Sequence, residues 1–438
     1  MQPYSGRRAC FAEAIQDGIA VIPSASVRLR NNDTEFEFRQ DSDFYYLTGF
    51  PEPDCVLVIR PKGVKERFVL FVRPRDRSKE VWTGKRFGPQ RAQSEFGVDA
   101  AYDIAELETK LAEFMVGARE LYYRFGENDR MDRLVQSALS EARDRVRRGG
   151  NAPRRFEEPG TFLHEMRLLK TPPEIEKMRR ACEITGEGHV AGMRATRPGM
   201  FEYEIEAIIE HAYRKRGADY AYPSIVAAGD NATILHYNLN RDQLKDGELL
   251  LVDSGCEFEL YSSDVTRTWP INGRFTPEQR AIYEIVLAAQ KAGIEEVRPG
   301  KPFAAYHEAA VNSIVDGLLD VGLLKGSRDE NLEQRKYFDF YMHRTGHWLG
   351  LDTHDVGRYF ELDGETPRKL EPGMVLTVEP GIYVDRELNC DERFKGIGVR
   401  IEDDILCTPS GPENLSAGIP KEIDELESVV GADALAPA

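Results

Sequence analysis

Three stretches of the chain run apolar and then stop on a carboxylate: Leu249-Leu-Leu-Val-Asp253, Val375-Leu-Thr-Val-Glu379 and Gly398-Val-Arg-Ile-Glu402. A short apolar run bounded by polar and glycine-rich segments reads as a buried strand. An isolated carboxylate at the end of such a strand costs several kcal/mol unless it is paired, protonated or bound to a metal. A fourth acid, Asp264, lies eleven residues after Asp253 in Ser262-Ser-Asp-Val-Thr-Arg-Thr268, a separation that a hairpin folds back on itself. The chain must therefore fold so that these acids meet compensating charge.

The histidines point to the nature of that charge. Of eight in the chain, three fall within twelve residues, in His343-Arg-Thr-Gly-His347-Trp-Leu-Gly-Leu-Asp-Thr-His354. His343 and His347 have the spacing of a helical zinc pair, but Arg344 stands where a zinc protease carries its catalytic Glu, and Gly346 and Gly350 weaken a helix. Four carboxylates and an imidazole suit two hard-to-borderline divalent cations, such as manganese or cobalt, better than a thiolate-bound structural zinc. A pair of such cations about 3.5–4 Å apart activates a water and polarises a carbonyl, which is the apparatus for hydrolysing an amide.

Around this centre the chain reads as two domains. Residues 1–160 alternate short β-branched or aromatic runs with helical patterns, the texture of a compact α/β domain. The runs are Gly18 to Ile22, Cys55 to Arg60, Arg67 to Val72 and Leu121 to Phe125, and the helices Ile104 to Val116 and Asn128 to Arg148. Gly149 to Gly160, GGNAPRRFEEPG, has the composition of an interdomain linker. Residues 161–438 contain a strong helix start, Thr171-Pro-Pro-Glu174, with a capping threonine and a glutamate three positions on. Helices are expected from there to about Ala195, and at Glu202 to Arg216, Thr276 to Ala292 and Phe303 to Val321. Strands are expected at Ser224 to Ala228, Glu248 to Gly255, Ser262 to Trp269, Met374 to Val378 and Gly398 to Asp404. Such blocks give an α+β domain with helices on one face of a curved sheet. Asp246-Gly247 to Gly255 aligns with Glu371-Pro-Gly373 to Gly381, with the same six-residue step from glycine to carboxylate. This is an internal repeat in which each half delivers an acid to a common centre.

Charge follows the same division. Residues 1–160 hold 27 basic and 26 acidic residues, whereas residues 161–438 hold 31 and 49, and the whole chain carries −17. That sign argues against nucleic-acid or anionic-membrane binding through the surface at large. Six cysteines without CxxC spacing read as reduced thiols of a cytoplasmic protein. Arg7, Arg8, Glu13 and Asp17 leave no apolar core for a signal peptide, and no window approaches the roughly 18 apolar residues of a membrane span.

In the order Asp253, Asp264, His347, Glu379, Glu402, the chain resembles the five-ligand dinuclear centre of the pita-bread metallopeptidases, the family of methionine aminopeptidase, aminopeptidase P and prolidase. The segment with His343, His347 and His354 is similar to the proline-peptidase signature of that family. Thr377-Val-Glu-Pro-Gly-Ile-Tyr383 and Gly398-Val-Arg-Ile-Glu402-Asp-Asp follow it. Arg39-Gln-Asp-Ser-Asp-Phe-Tyr-Tyr-Leu-Thr-Gly49-Phe resembles the N-terminal domain of the bacterial aminopeptidase P branch. The resemblance implies a pita-bread catalytic domain with an internal pseudo-twofold repeat and an antiparallel-rich curved sheet. It also implies an exopeptidase that hydrolyses the N-terminal Xaa-Pro bond of peptides and releases the first residue. Two divalent ions are implied, manganese first, with cobalt or zinc as alternatives, and so is a homo-oligomer, dimer or tetramer.

Residue by residue, the resemblance makes Asp253 and Asp264 the first two ligands, with Asp264 bridging. His347 binds one metal, Glu379 is a ligand on that metal and the proton shuttle for the attacking water, and Glu402 bridges. His236 and His354 match histidines that contact the substrate carbonyl and the tetrahedral intermediate. His343, Tyr383 and Arg400 match residues that shape the proline-side pocket or hold ligands in place. Thr353 departs from the signature, which has Ile or Val there. Prolidase would use the same ligands on dipeptides only, and the short segment between Glu379 and Glu402 favours the aminopeptidase reading over it. A non-catalytic pita-bread binding protein would have lost ligands, and all five positions are filled here.

Overall fold

The computed structural model describes residues 3–435; residues 1–2 and 436–438, at the outer ends of the two expected domains, lie outside the described part. The chain divides into two compact units after Met166. In the first, six strands form one mixed sheet in the order Ala100–Asp103, Phe68–Val72, Val56–Ile59, Ile19–Pro23, Glu120–Tyr122, Arg155–Glu157. Its centre is apolar on both faces, with every residue of Val56–Ile59 buried. The helices Leu107–Met115 and Asp129–Arg145 cover it through Leu111, Met115, Val135 and Leu139. Asn128 starts the second of these by accepting the Arg130 and Met131 N–H groups, each at 3.1 Å.

This unit contains more regular structure than its periodicity announces. The helices Pro3–Ala14, Ser42–Thr48, Arg77–Thr83 and Gly88–Phe96 and the strand Ala100–Asp103 add to the expected set. Arg155–Glu157 is a strand inside the stretch with linker composition. It pairs in parallel with Glu120–Tyr122, and all three of its residues are exposed. An edge strand with every residue exposed leaves no hydrophobic pattern to read.

In the second unit, every pairing between named strands is antiparallel. Leu249–Asp253 lies between Ile225–Ala228 and Thr266–Pro270, and Asp403–Thr408 lies between Val375–Val378 and Gly411–Asn414. Gly381–Val384 and Ile397–Arg400 make a further two-stranded ladder. The helices Pro172–Ala195 and Glu202–Lys215, and Pro277–Glu296 and Ala305–Asp320, bury their apolar sides against these strands in one core that includes Ile184, Ile209, Val252, Trp269, Ile282, Ile314 and Val399. The start at Thr171 behaves as its sequence implies: the Glu174 carboxylate accepts the Thr171 N–H at 2.9 Å and its hydroxyl at 2.6 Å.

Two expected strands are interrupted, in each case beside an acid. Gly398 to Asp404 divides at Ile401 and Glu402, because Ile397–Arg400 pairs with Gly381–Val384 and Asp403–Thr408 with Val375–Val378. Ser262 to Trp269 divides into Tyr261–Ser262 and Thr266–Pro270, leaving Asp264 in the gap. Where ladders part, a side chain can point into the space between them, and both acids do so. The two glycines of the repeat, Gly247 and Gly373, have φ of 82° and 96°, so each turns the chain into its acid-bearing strand.

Close approach at Gly255 brings these segments together: a Cβ there would lie 1.9 Å from the Ser263 carbonyl oxygen. Gly255→Ala is expected to cost about 3 kcal/mol, the upper end of overpacking penalties. Urea unfolding checks this against Gly6→Ala, where nothing lies within 4 Å of the added carbon; equal midpoints for the two variants would contradict it.

Candidate active site

Asp253 ends the central strand of its sheet, its backbone paired with Ile225 and Thr266. Asp264 comes back towards it, and the Tyr222 hydroxyl joins the two, 2.6 Å from Asp253 Oδ1 and 2.5 Å from Asp264 Oδ1. His347 Nδ1 lies 2.9 Å from the Trp348 carbonyl, to which only an N–H can bond, and its Nε2 faces the acids. Asp264 Oδ2 is 3.3 Å and Glu379 Oε1 3.7 Å from that Nε2. Asp264, His347 and Glu402 present ligand atoms that all lie within 4.8 Å of one another. Glu402 is steadied by the Thr266 hydroxyl, which donates to Oε2 at 2.6 Å.

Beside this cluster is a slot. Arg400 donates through Nη2 to Asp253 Oδ2 at 2.7 Å and through Nη1 to the Tyr383 hydroxyl at 3.0 Å, so one guanidinium spans cluster and slot. His343 Nδ1 is 2.7 Å from the Arg344 carbonyl, and its Nε2 accepts from the Tyr383 hydroxyl at 2.8 Å. The His354 ring lies 4.2 Å from that of His347. His236 is the expected site residue that contacts do not tie in: it is exposed and makes no hydrogen bond among the described residues, although its charge acts on His343 and His354.

The electrostatics are those of a site short of positive charge. Burial pushes Glu402 well above the usual carboxylate range, and the charges of Asp264 and Glu379 push it further. Burial also raises Asp264, against the hydrogen bond from His347. Glu379 is raised by burial to about 7 although His347 and Arg400 oppose the shift. Burial alone would lower His347, but Asp264 and Glu379 outweigh it and bring the imidazole to about 9. Tyr222 has one proton for two carboxylates. Oxygen and imidazole donors crowded in this way fit a divalent cation, whose charge would reverse each of these shifts.

Residues 176–409, over half of the chain, match the model of metallopeptidase family M24. The chain belongs to metallopeptidase family M24. Residues 4–122 in addition match the aminopeptidase P N-terminal domain. Among relatives of this M24 chain, the Xaa-Pro aminopeptidase of Escherichia coli strain K12 is 42% identical over 98% of both chains. Human Xaa-Pro aminopeptidase 3 is 36% identical over 94% of this chain and 81% of its own. Pseudomonas aeruginosa aminopeptidase PepP superposes with a TM-score of 0.96 at 44% identity, covering 98% of each chain. Escherichia coli aminopeptidase P with the inhibitor Pro-Leu does so at 0.95 and 42%, covering 99% of this chain and 98% of that one. No helix among the described residues is long and apolar enough to cross a membrane.

The M24 site rests on a buried ion cluster that sequence reasoning missed. Arg167 Nη2 donates to Asp355 Oδ1 at 2.6 Å and to Asp352 Oδ2 at 2.7 Å, and Lys170 Nζ donates to Asp355 Oδ2 at 3.0 Å. The Lys170 N–H also donates to the Gly373 carbonyl at 2.9 Å, in the turn that opens the strand ending at Glu379. The cluster therefore joins the loop of His354 to the strand of Glu379. Its only sequence signal is two cations flanking Leu168-Leu169, and Tyr222 has none.

Burial pushes the Asp355 carboxyl up, but Lys170 and Arg167 together more than offset this and leave it below the usual range. A depressed folded pKa adds stability that is complete above the unfolded value, about 4, and is lost as pH falls through the folded one. Lys170→Met is expected to cost about 3 kcal/mol at neutral pH, the lower end for a broken buried pair because Arg167 still holds Asp355. Asp355→Asn should flatten the acid loss of stability below about pH 4. Thermal melts across pH check both, and an unchanged acid profile in Asp355→Asn would refute the second. The Thr353 hydroxyl is buried without a partner among the described residues. Thr353→Val is accordingly expected to raise stability by about 1 kcal/mol, read from the urea midpoint.

Proposed function

We propose that this chain is an Xaa-Pro aminopeptidase that removes the first residue from peptides with proline in second place. In this reading two divalent cations, manganese before cobalt or zinc, would be held by Asp253, Asp264, His347, Glu379 and Glu402. The observation that carries it is the Arg400 guanidinium, which bonds the acid–histidine cluster through Asp253 and the aromatic slot through Tyr383. Hydrolytic chemistry and a place for a ring thus lie side by side. The relatives named Xaa-Pro aminopeptidase support the same reading. A homo-oligomer in the cytoplasm belongs to it through the family resemblance.

The bond before proline has no N–H and carries a ring on its nitrogen, so an enzyme for it must hold that ring, activate water and protonate a tertiary amide. Bound divalent cations lower the pKa of water towards neutrality and polarise the carbonyl. Glu379 takes the proton of the attacking water and returns it to the proline nitrogen as the bond breaks. His354 and His236 offer N–H groups to the carbonyl oxygen as negative charge develops on it. Burial holds His343 at about 3, so it stays neutral, and with Tyr341 and Tyr383 at 4.9 and 5.5 Å between ring centres it forms an aromatic wall for the pyrrolidine ring.

Protein stripped with EDTA is expected to lose cleavage of an Xaa-Pro-Xaa tripeptide and regain it with manganese, and metal analysis should find two ions per chain. Hydrolysis confined to Xaa-Pro dipeptides would indicate a prolidase instead, and unchanged rates in excess chelator would overturn the metal-dependent reading. Glu379→Gln is expected to lower kcat by about 100-fold or more, the scale of general-base catalysis, with an unaltered urea midpoint. Turnover near the wild-type rate would refute the role given to Glu379.

A further inference from the structure

A cavity of ≈ 60 Å³ next to the aromatic slot takes no part in the roles above, and its walls include Phe303, Tyr306, His307, Arg344, Tyr359 and Phe360. At roughly 10–15 Å³ for each water, that space admits a few waters or one carboxylate group. Arg344 follows His343 directly, so its backbone stands about 3.8 Å, one Cα step, beyond the residue proposed to wall the proline ring. An extended peptide advances about 3.3–3.6 Å per residue, so this cavity lies within reach of the residues just after proline.

The charges of Glu379 and Asp355 act on Tyr306 and Tyr359 in these walls, but neither acid forms an ion pair with Arg344 among the described residues. Arg344 is exposed and forms no ion pair among the described residues. The charged side chains that act on His307 are Arg344 and Arg335, both positive. His307 uses Nδ1 on the Thr345 hydroxyl at 2.8 Å, which leaves Nε2 uncommitted. Tyr306 is only 1% exposed, yet its hydroxyl makes no hydrogen bond among the described residues. The Tyr359 hydroxyl accepts from the Trp348 N–H at 3.4 Å and keeps its own proton to give. Residues 161–438 carry 49 acidic against 31 basic residues. An unpaired guanidinium with uncommitted hydroxyl donors in that setting marks a place where negative charge is supplied from outside.

We propose that this cavity is a carboxylate subsite, in which Arg344 binds a carboxylate of the peptide on the far side of proline. The inference rests on the Xaa-Pro aminopeptidase reading. Two sources present the same group at this position, the C-terminal carboxylate of a tripeptide and an Asp or Glu side chain after proline in a longer peptide. The guanidinium fork receives either through paired N–H donors.

Steady-state kinetics on the manganese-loaded protein test it with matched pairs of peptides: Ala-Pro-Ala as free acid and as amide, and an amidated Ala-Pro-Glu-Ala against Ala-Pro-Gln-Ala. Wild type is expected to favour the acidic member of at least one pair by about fivefold to tenfold in kcat/KM, carried by KM, as suits a partly exposed charge-assisted pair. The pair that shows the preference identifies the source. Arg344→Ala should bring that ratio to about one, and Arg344→Lys should keep part of it, a rescue that a purely structural role for Arg344 would not produce. Equal kcat/KM within both pairs for wild type, or a ratio that survives in Arg344→Ala, overturns the subsite. Failure of wild type to cleave any of the four peptides overturns the functional reading itself, and the subsite with it.

Discussion

Asp264, Glu379 and Glu402 surround one imidazole in a largely buried space, and their mutual repulsion together with lost hydration sets the terms for everything near them. The fold meets those terms in stages. Strand ladders part at the residues that must reach inwards, so the acids project without breaking the pairing on either side. Side-chain donors then fix the carboxylates: Arg400 and Tyr222 hold Asp253, Thr266 holds Glu402, and the Thr377 hydroxyl approaches Glu379 at 3.3 Å. What remains is a deficit of positive charge at the centre, which divalent cations match in sign and in ligand preference.

The pair after Glu402 shows how strictly position governs such groups. Asp403 and Asp404 are neighbours on one strand and both fully buried, but alternate residues point to opposite faces. Asp403 meets Arg267 at 2.7 Å and also Lys421, and although burial pushes it up these cations carry it far below its usual value. Asp404 meets no cation; burial and the charge of Asp264 raise it, and it accepts the Asp264 N–H at 3.1 Å and the Cys182 thiol at 3.2 Å. Identical side chains one residue apart thus serve as a salt-bridge anchor for the sheet and as a hydrogen-bonded support under the centre. Arg267 reinforces the first role by donating to the Glu402 carbonyl at 2.5 Å.

Signals that act over a few residues were legible from the chain. The Thr171-Pro-Pro-Glu174 start, the apolar runs before Asp253 and Glu379, and the glycine-to-acid step of the repeat all reappear in the structure, because capping, strand burial and turn formation are settled by near neighbours. Arg155–Glu157 was not legible as a strand, since a strand with every residue exposed carries no hydrophobic pattern. The breaks at Asp264 and Glu402 were hidden for a related reason: a run such as Gly398 to Asp404 carries no turn signal inside it, and only its two different partners divide it.

The chain by itself determined which chemical groups would meet, because acids at the ends of buried strands and histidines in one short loop have few ways to avoid uncompensated charge. Tertiary structure alone decided how they are held. Arg167, Lys170 and Tyr222 are far from the acids in sequence and act through single hydrogen bonds across segments, at distances no spacing rule encodes. The placing of Arg344 at a cavity beside His343 is likewise a matter of which helix and which loop happen to close around it. Local chemistry names the ligands of such a site; their order, partners and protonation follow from long-range packing, which fixes the dielectric and the geometry that each group experiences.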